Sequence, residues 1–427
     1  MGTSFRTLPG VYYDLTTLPN GLRVITETMP SVRTVSIGSG ADTGTRDENL
    51  DHEHGASHFL EHLLFKGSDE LSAREVSETF DAIGAESNAF TSKEATCYWT
   101  RLLDQDVATG FDILSEIIQR PAFRANEIDS ERQVVIEEIN MNDDDPHDVA
   151  FENFSTAAFK GHPLEAPVLG TRDSIRGMTR DDIMGYWDRR YGAGSVVIAA
   201  VGNLVHEDIV GMVSERFGDW DGDAVTHEHS EVDPPARGEF TRRDTEQAHS
   251  LIGGKGMNRS DERRWAYQVI NHIMGSGMSS RLFREVREER GLAYSVYAFR
   301  LAYADAGAWG VYVGTTPSQT DTALKVIQDE LNKVMDEGVT DSELERAKGS
   351  MRGGLALSLE DSNSRMVRLG RDELAGMPHL STDERLERLD AVSREDVQKV
   401  AQEMYSAERL IGAVGPFDTT DLEPYVT

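Results

Sequence analysis

Thr179-Arg180-Asp181-Asp182-Ile183 recurs 214 residues later as Ser393-Arg394-Glu395-Asp396-Val397, and that recurrence decides how the chain is read. Twelve residues after each start stands a tyrosine, Tyr191 and Tyr405, followed by the strand-like runs SVVIAAVGNL (195–204) and RLIGAVGPF (409–417). Glu127-Ile128-Asp129-Ser130-Glu131-Arg132 returns in the same way as Glu343-Leu344-Glu345-Arg346-Ala347-Lys348. An offset of half the chain predicts two homologous domains, 1–217 and 240–427. Residues 218–239, turn-rich and acidic with Pro234-Pro235, read as the linker between them. Within each half, strands, helices, further strands and a terminal helix–strand pair follow one another. Asn20-Gly21 between YDLTTLP and LRVITE marks a hairpin, and VRTVSIGSGAD a further strand. The order predicts an α+β fold: two α/β sandwich domains, each a mixed, mostly antiparallel sheet with helices packed on one face.

The chemistry is concentrated in His58-Phe59-Leu60-Glu61-His62. Residues four apart on a helix lie about 40° apart around its axis, so both imidazoles reach one ion at roughly 2.0–2.1 Å. Glu61 lies on the flank of that stripe, where a carboxylate can act on water without being a ligand. The H-x-x-E-H order inverts the commoner H-E-x-x-H metallopeptidase pattern. Ala56 to Phe65 contains no Pro or Gly, and Lys66-Gly67 supplies a basic last turn and a stop.

A zinc site needs a third ligand on another buried element. The segment EIDSERQVVIEEIN (127–140) has an apolar face of Ile128, Val134, Val135, Ile136 and Ile139. Glu131 and Glu138, seven apart, share a face, whereas Glu137 points about 100° away from Glu138. Spacing leaves Glu137 and Glu138 both open as the ligand.

HFLEHLLFKGS (58–68), GAESNAFTSKEATCYW (84–99), ERQVVIEEI (131–139) and HPLEAPVLGTRDSI (162–175) together resemble the pitrilysin family, which includes insulysin and the mitochondrial processing peptidases. The resemblance covers nearly the whole chain, and the length is similar to that of the half-length, single-polypeptide members. It implies a zinc-dependent endopeptidase with one Zn2+ per chain, His58, His62 and Glu138 as ligands and Glu61 as general base. Glu131 would be the supporting carboxylate, since E-x-x-V-x-x-x-E runs from Glu131 to Glu138. In SSRLFREVREERGLAYSVY (279–297), the resemblance assigns Arg287 and Tyr294, seven apart, to substrate binding and oxyanion stabilisation. It likewise makes Asn88, Ala89 and Phe90 part of an edge strand that pairs with an extended peptide. Two subunits, as a homodimer or as a heterodimer with a paralogue, would close around short or unfolded peptides. Two other readings share the fold: a non-catalytic scaffold or partner subunit, and a dedicated precursor-processing peptidase acting with a paralogue. The second half lacks the metal set, because His272, near the position of His58, is followed by Ile273, Met274, Gly275 and Ser276. The equivalent of Glu138 falls near Met351 or Arg352.

Composition narrows the setting. The chain of 427 residues carries 75 acidic and 43 basic residues, a formal charge of −32, and only eight of the basic residues are lysine. The acids are dispersed rather than gathered in a tail, which fits a folded, haloadapted surface and disfavours nucleic acid as a partner. No run of eighteen apolar residues predicts a membrane span, and the start, MGTSFRTLPGVYYDL, has no apolar leader. Cys97 is the only cysteine, which excludes an internal disulfide and suits the cytoplasm. Of the remaining histidines, His227 and His229 are expected in the solvated linker, His52 and His54 in an exposed loop, and His147 and His162 in a loop bordering the site.

Overall fold

A computed structural model describes residues 5–8, 11–227, 229, 230, 232 and 238–426. Residues 228, 231 and 233–237 of the expected linker lie outside the described residues, as do residues 1–4, on which part of the reading of the chain start rests. Packing divides the chain into two compact units. The first combines Met1–Ile139, Ala166–His227 and Gly354–Arg385; the second combines Asn140–Glu165, Glu228–Gly353 and Leu386–Thr427.

The first unit holds a seven-stranded sheet made of β1 (Phe5–Leu8), β2 (Val11–Thr17), β3 (Arg23–Thr28), β4 (Thr34–Ala41), β5 (Glu86–Thr91), β6 (Thr96–Leu103) and β7 (Val196–Gly202). Its order is β1-β2-β3-β7-β4-β6-β5, and only β3 and β7 pair in parallel. The second unit holds β8 (Gly238–Arg242), β9 (Ala248–Lys255), β10 (Ala293–Ala302), β11 (Gly307–Thr315) and β12 (Arg409–Gly415), in the order β10-β11-β9-β12-β8. Here too a single pair, β12 with β8, is parallel. The series β3-β7-β4-β6-β5 is therefore matched strand for strand by β8-β12-β9-β11-β10, and the fold is α+β with two mixed sheets. The repeated Thr179 and Ser393 explain themselves: each side chain caps a helix, Arg180–Arg190 and Arg394–Tyr405, in a reciprocal capping box with Asp182 or Asp396. Each of these helices leads into the strand of the parallel pair, β7 or β12.

Both faces of each sheet are covered, which extends the expectation of helices on one face. All seven residues of β7 are buried. Alternation sends Val196, Ile198 and Ala200 into the main helical core, and Val197, Ala199 and Val201 into a second cluster with Met366 and Leu369. That second cover is one helix, Ser362–Leu374. In the second unit Ile411 and Ala413 of β12 face the main core, while Leu410 and Val414 meet Phe154 and Ala157 of the helix Pro146–Phe159. These two reverse-face helices are equivalents in the repeat, and each packs with the sheet from the other half of the sequence. The observed units thus differ from a single cut near residue 217. The reason is that the partner of a continuous apolar strand is chosen by chain path and not by local pattern.

Close approach makes the exchange fit. A Cβ on Gly412 would strike the backbone of Phe154, and one on Gly38 would strike Met366 Sδ. Ion pairs and hydrogen bonds then fix each helix. Buried Glu27 of β3 pairs with buried Arg365, and Ser36 bonds Ser362 at 2.9 Å. On the second sheet Asn153 Nδ2 donates to Ala413 O at 3.0 Å, and His147 Nε2 meets the Tyr297 hydroxyl at 2.9 Å. His147 thus belongs to a packed helix, not to a loop.

The first ten residues of the expected linker are held against the first unit. Gly194 N donates to Gly222 O at 3.0 Å and Val225 N to Ser195 Oγ at 3.0 Å. His227 is clamped between Asp42 (3.1 Å) and Asp47 (2.8 Å), so its expected solvation is corrected. Among the described residues no helix is long and apolar enough to cross a membrane.

Candidate metal centre

The helix Ala56–Leu64 starts at Gly55, whose φ of +91° and contact with Leu169 O and Gly170 Cα leave no room for a side chain. The buried carboxylate of Glu48 accepts from Gly55 N at 2.7 Å and Ser57 N at 2.8 Å, capping the helix where its dipole is positive. Burial pushes Glu48 up to about 8, against the pull of those donors. Phe59, Leu60, Leu63 and Leu64 anchor one side of the helix in the core. His58, Glu61 and His62 occupy the other.

The helix Ala125–Asp144 supplies the third side. Ile128, Glu131, Val135, Ile136 and Ile139 are buried. Glu138 Oε2 stands 3.5 Å from His58 Nε2 and 3.4 Å from His62 Nε2, while Glu137 is exposed. Ligands at 2.0–2.1 Å around a tetrahedral ion are about 3.3–3.4 Å apart, close to both Glu138–histidine distances. Glu138 Oε2 is buried without a hydrogen-bond donor, an orphaned acceptor facing two imidazole nitrogens. Such an arrangement fits a bound cation. Among the described residues it is the one cluster of three His, Cys, Asp or Glu side chains spaced for a metal.

The protonation states suit that role. Burial, together with His62, lowers His58 to about 4, so its imidazole is neutral at pH 7. Glu131 Oε2 lies 3.2 Å from His62 Nδ1, favouring the tautomer that leaves Nε2 free, and Glu131 Oε1 is 2.7 Å from Lys66 Nζ. Glu61 stands outside the ligand group and accepts from Thr91 Oγ1 at 2.5 Å. Burial raises the Glu61 pKa, opposed by that hydrogen bond and by His62.

Asn88, Ala89 and Phe90 lie on β5, the terminal strand of the sheet, which pairs with β6 on one side. Thr91, on the same strand, links this edge to Glu61. The sequence carries no assignment for Thr91 or Glu48, and Lys66 reads there only as the basic end of the histidine helix. Only Lys66 carries a usable signal, standing four residues after His62, in the turn that follows the helix.

Arg287 and Tyr294 belong to the second unit. Arg287 lies in a wide helical turn, Phe283–Glu288, and donates to Tyr294 O at 3.1 Å. Its guanidinium stands 4.3 Å from the centre of the Tyr294 ring, and that tyrosine is 79% exposed. Glu288 is a looser neighbour at 3.8 Å. The helix Arg264–Gly275 ends His272-Ile273-Met274-Gly275, and Met351 and Arg352 stand on the helix Asp341–Ser358, with no metal-spaced cluster there among the described residues.

The model of the insulinase family (peptidase family M16) matches residues 23–172, and that of the peptidase M16 inactive domain matches residues 177–351. An uncharacterized zinc protease of Streptomyces coelicolor is 42% identical over 410 residues, covering 94% of this chain and 89% of that protein. One of Bacillus subtilis, also uncharacterized, is 38% identical over 403 residues, covering 94% and 97%. Among solved structures, a peptidase M16 inactive domain from Pseudomonas fluorescens superposes with a TM-score of 0.86 at 20% identity, covering 95% of this chain and 98% of that one. A protease from Helicobacter pylori gives 0.86 at 20%, covering 94% and 99%. At that identity the structural likeness speaks for the fold alone.

Proposed function

The chain belongs to the insulinase family, peptidase family M16, and from that premise we propose that it is a zinc-dependent endopeptidase acting on short or unfolded peptides. The observation that carries the reading is the convergence of His58, His62 and Glu138 beside a carboxylate, Glu61, that is not a ligand. His58, His62 and Glu138 would hold one zinc ion per chain. When bound, the ion supplies Lewis acidity, making water more acidic and the scissile carbonyl more electrophilic.

The remaining work is done by the chain's own groups. Glu61 takes the proton of the attacking water on its carboxylate and returns it to the leaving amine; its raised pKa suits both transfers. Thr91 fixes the carboxylate that does this. Glu131 orients His62 through Nδ1. An extended peptide pairs with the free edge of β5 along Asn88, Ala89 and Phe90, a mode that reads backbone and tolerates many sequences. Arg287 and Tyr294 donate to the developing oxyanion, in an assembly of two subunits that is a homodimer or a heterodimer with a paralogue. The charge of −32 supports a saline cytoplasm as the working medium, where Cys97 stays reduced.

The test is cleavage of an unstructured quenched-fluorophore peptide in molar KCl by the wild type and by Glu61→Gln, both loaded with zinc. The expected result is activity in the wild type and a loss of about 10²-fold or more in the variant, with zinc still bound. A folded, zinc-loaded wild type with no activity would turn the reading to a scaffold or a subunit awaiting its partner.

A further inference from the structure

Phe283 opens the wide turn that carries Arg287, and the proposed reaction gives it no task. Its neighbours Leu282 and Val286, four apart, are fully buried in the core of the second unit. Phe283 and Arg287, also four apart, stand one position further round the helix, and both are half-buried. Among the described residues Phe283 belongs neither to that core nor to the side chains packed against it. Its ring instead meets the Arg287 guanidinium, whose central carbon lies 4.6 Å from the ring centre. The same carbon is 4.3 Å from the centre of the Tyr294 ring, so the cation engages two rings at once.

The backbone prepares this contact. Glu289 N donates to Arg284 O at 2.8 Å, a five-residue step that widens the helix, and such turns recur at functional sites. Gly291, at φ +59°, supplies the left-handed step of the turn into β10. Tyr294 then falls on a register shift. Ala293 pairs with Thr315 and Ser295 with Gly314, which leaves Tyr294 without a partner of its own in the ladder. A bulge of this kind re-aims one side chain, and here the Tyr294 ring is the one that meets Arg287.

We infer that Phe283 is a positioning residue for the reaction: its ring holds the Arg287 guanidinium beside Tyr294, so that both donors meet the oxyanion already ordered. An arginine side chain has many rotamers, and fixing one of them during the reaction costs rate. A ring face against the cation supplies part of that order beforehand. Position also explains why an aromatic side chain stands here outside the core. This inference rests on the assignment of Arg287 and Tyr294 under the proposed function.

The experiment compares the full chain with Phe283→Leu, Phe283→Tyr, Arg287→Ala and the Phe283→Leu/Arg287→Ala pair, all zinc-loaded, on the quenched-fluorophore peptide in molar KCl. Phe283→Leu should lower kcat about two- to fivefold while KM and the thermal midpoint stay put. Phe283→Tyr, which keeps the ring, should restore kcat, and Phe283→Leu should cost nothing further once Arg287 is gone. Phe283→Met replaces Phe283→Leu if the latter does not fold. A second readout needs no turnover: without substrate, the Arg287 Nε–H order parameter from NMR should be lower in Phe283→Leu than in the wild type. Unchanged kcat in Phe283→Leu, or an equal loss with and without Arg287, overturns the role of Phe283 while the peptidase reading stands. A folded, zinc-loaded wild type that cleaves nothing overturns that reading instead, and equal Arg287 order in both proteins then overturns the positioning as well.

Discussion

The two sheets share the order of five strands, one parallel pair and a capped helix before a strand of that pair, yet only the first unit gathers metal-spaced side chains among the described residues. Where the first has His58, Glu61 and His62 on a helix beside β5, the second has His272 followed by Ile273, Met274 and Gly275. Where the first has Glu138, the second has Met351 or Arg352. The architecture depends on apolar faces and turn chemistry, which both halves keep. The chemistry depends on a handful of polar side chains on two helices, which one half can lack without touching its sheet.

The sharpest way to break this contrast is at its most local point. Glu138→Ala should abolish retention of zinc through gel filtration, whereas Glu137→Ala, one residue away and exposed, should keep the ion. Equal loss in both would mean that the helix as a whole, not one carboxylate, distinguishes the units. The shared architecture is tested by its reverse faces. Phe154→Ala should cost about 3–5 kcal/mol and Met366→Ala about 2–5 kcal/mol, read from denaturant midpoints, because both side chains are fully buried on equivalent helices, against the sheets those helices cover. A cost near zero for either would show that its sheet does not need that cover.

The smallest expected effect concerns His227, which has no counterpart in the repeat. Hydrogen bonds that it donates to Asp42 and Asp47 raise its pKa to about 9, above an ordinary value of 6.5. The folded state therefore binds the proton more tightly than the unfolded one. This stabilisation is fully present below pH 6.5 and disappears as pH rises through about 9. After allowance for solvent screening it amounts to about 1–2 kcal/mol. Thermal midpoints at pH 6 and pH 10 should fall further apart in the wild type than in His227→Asn.

Much of this was legible from residues. The four-residue step from His58 to His62 is a helical period, and Leu60, Leu63 and Leu64 gave it a buried side. The Asn20-Gly21 turn and the run 195–204 likewise announced a hairpin and a buried strand. The local sequence said little about which helix would cover the second face of that strand. Pro146–Phe159 and Ser362–Leu374 are amphipathic in a way that any sheet could accept, and only chain path assigns them. Spacing alone also left Glu137 and Glu138 undecided, because both lie on one helix and the position of the histidines across from it is a tertiary fact. His227 was misread for a related reason. A stretch rich in Gly, Asp and Pro has the composition of a free linker even when its side chains are bound.

The exchanged helices set a timetable for synthesis. When residue 227 has left the ribosome, the first sheet has all its strands, but Val197, Ala199 and Val201 still have no cover on their reverse face. The covering helix ends at Leu374, which at ordinary elongation rates follows after roughly 7–30 s. For that interval a finished sheet presents an apolar surface to the cell, a natural moment for chaperone engagement.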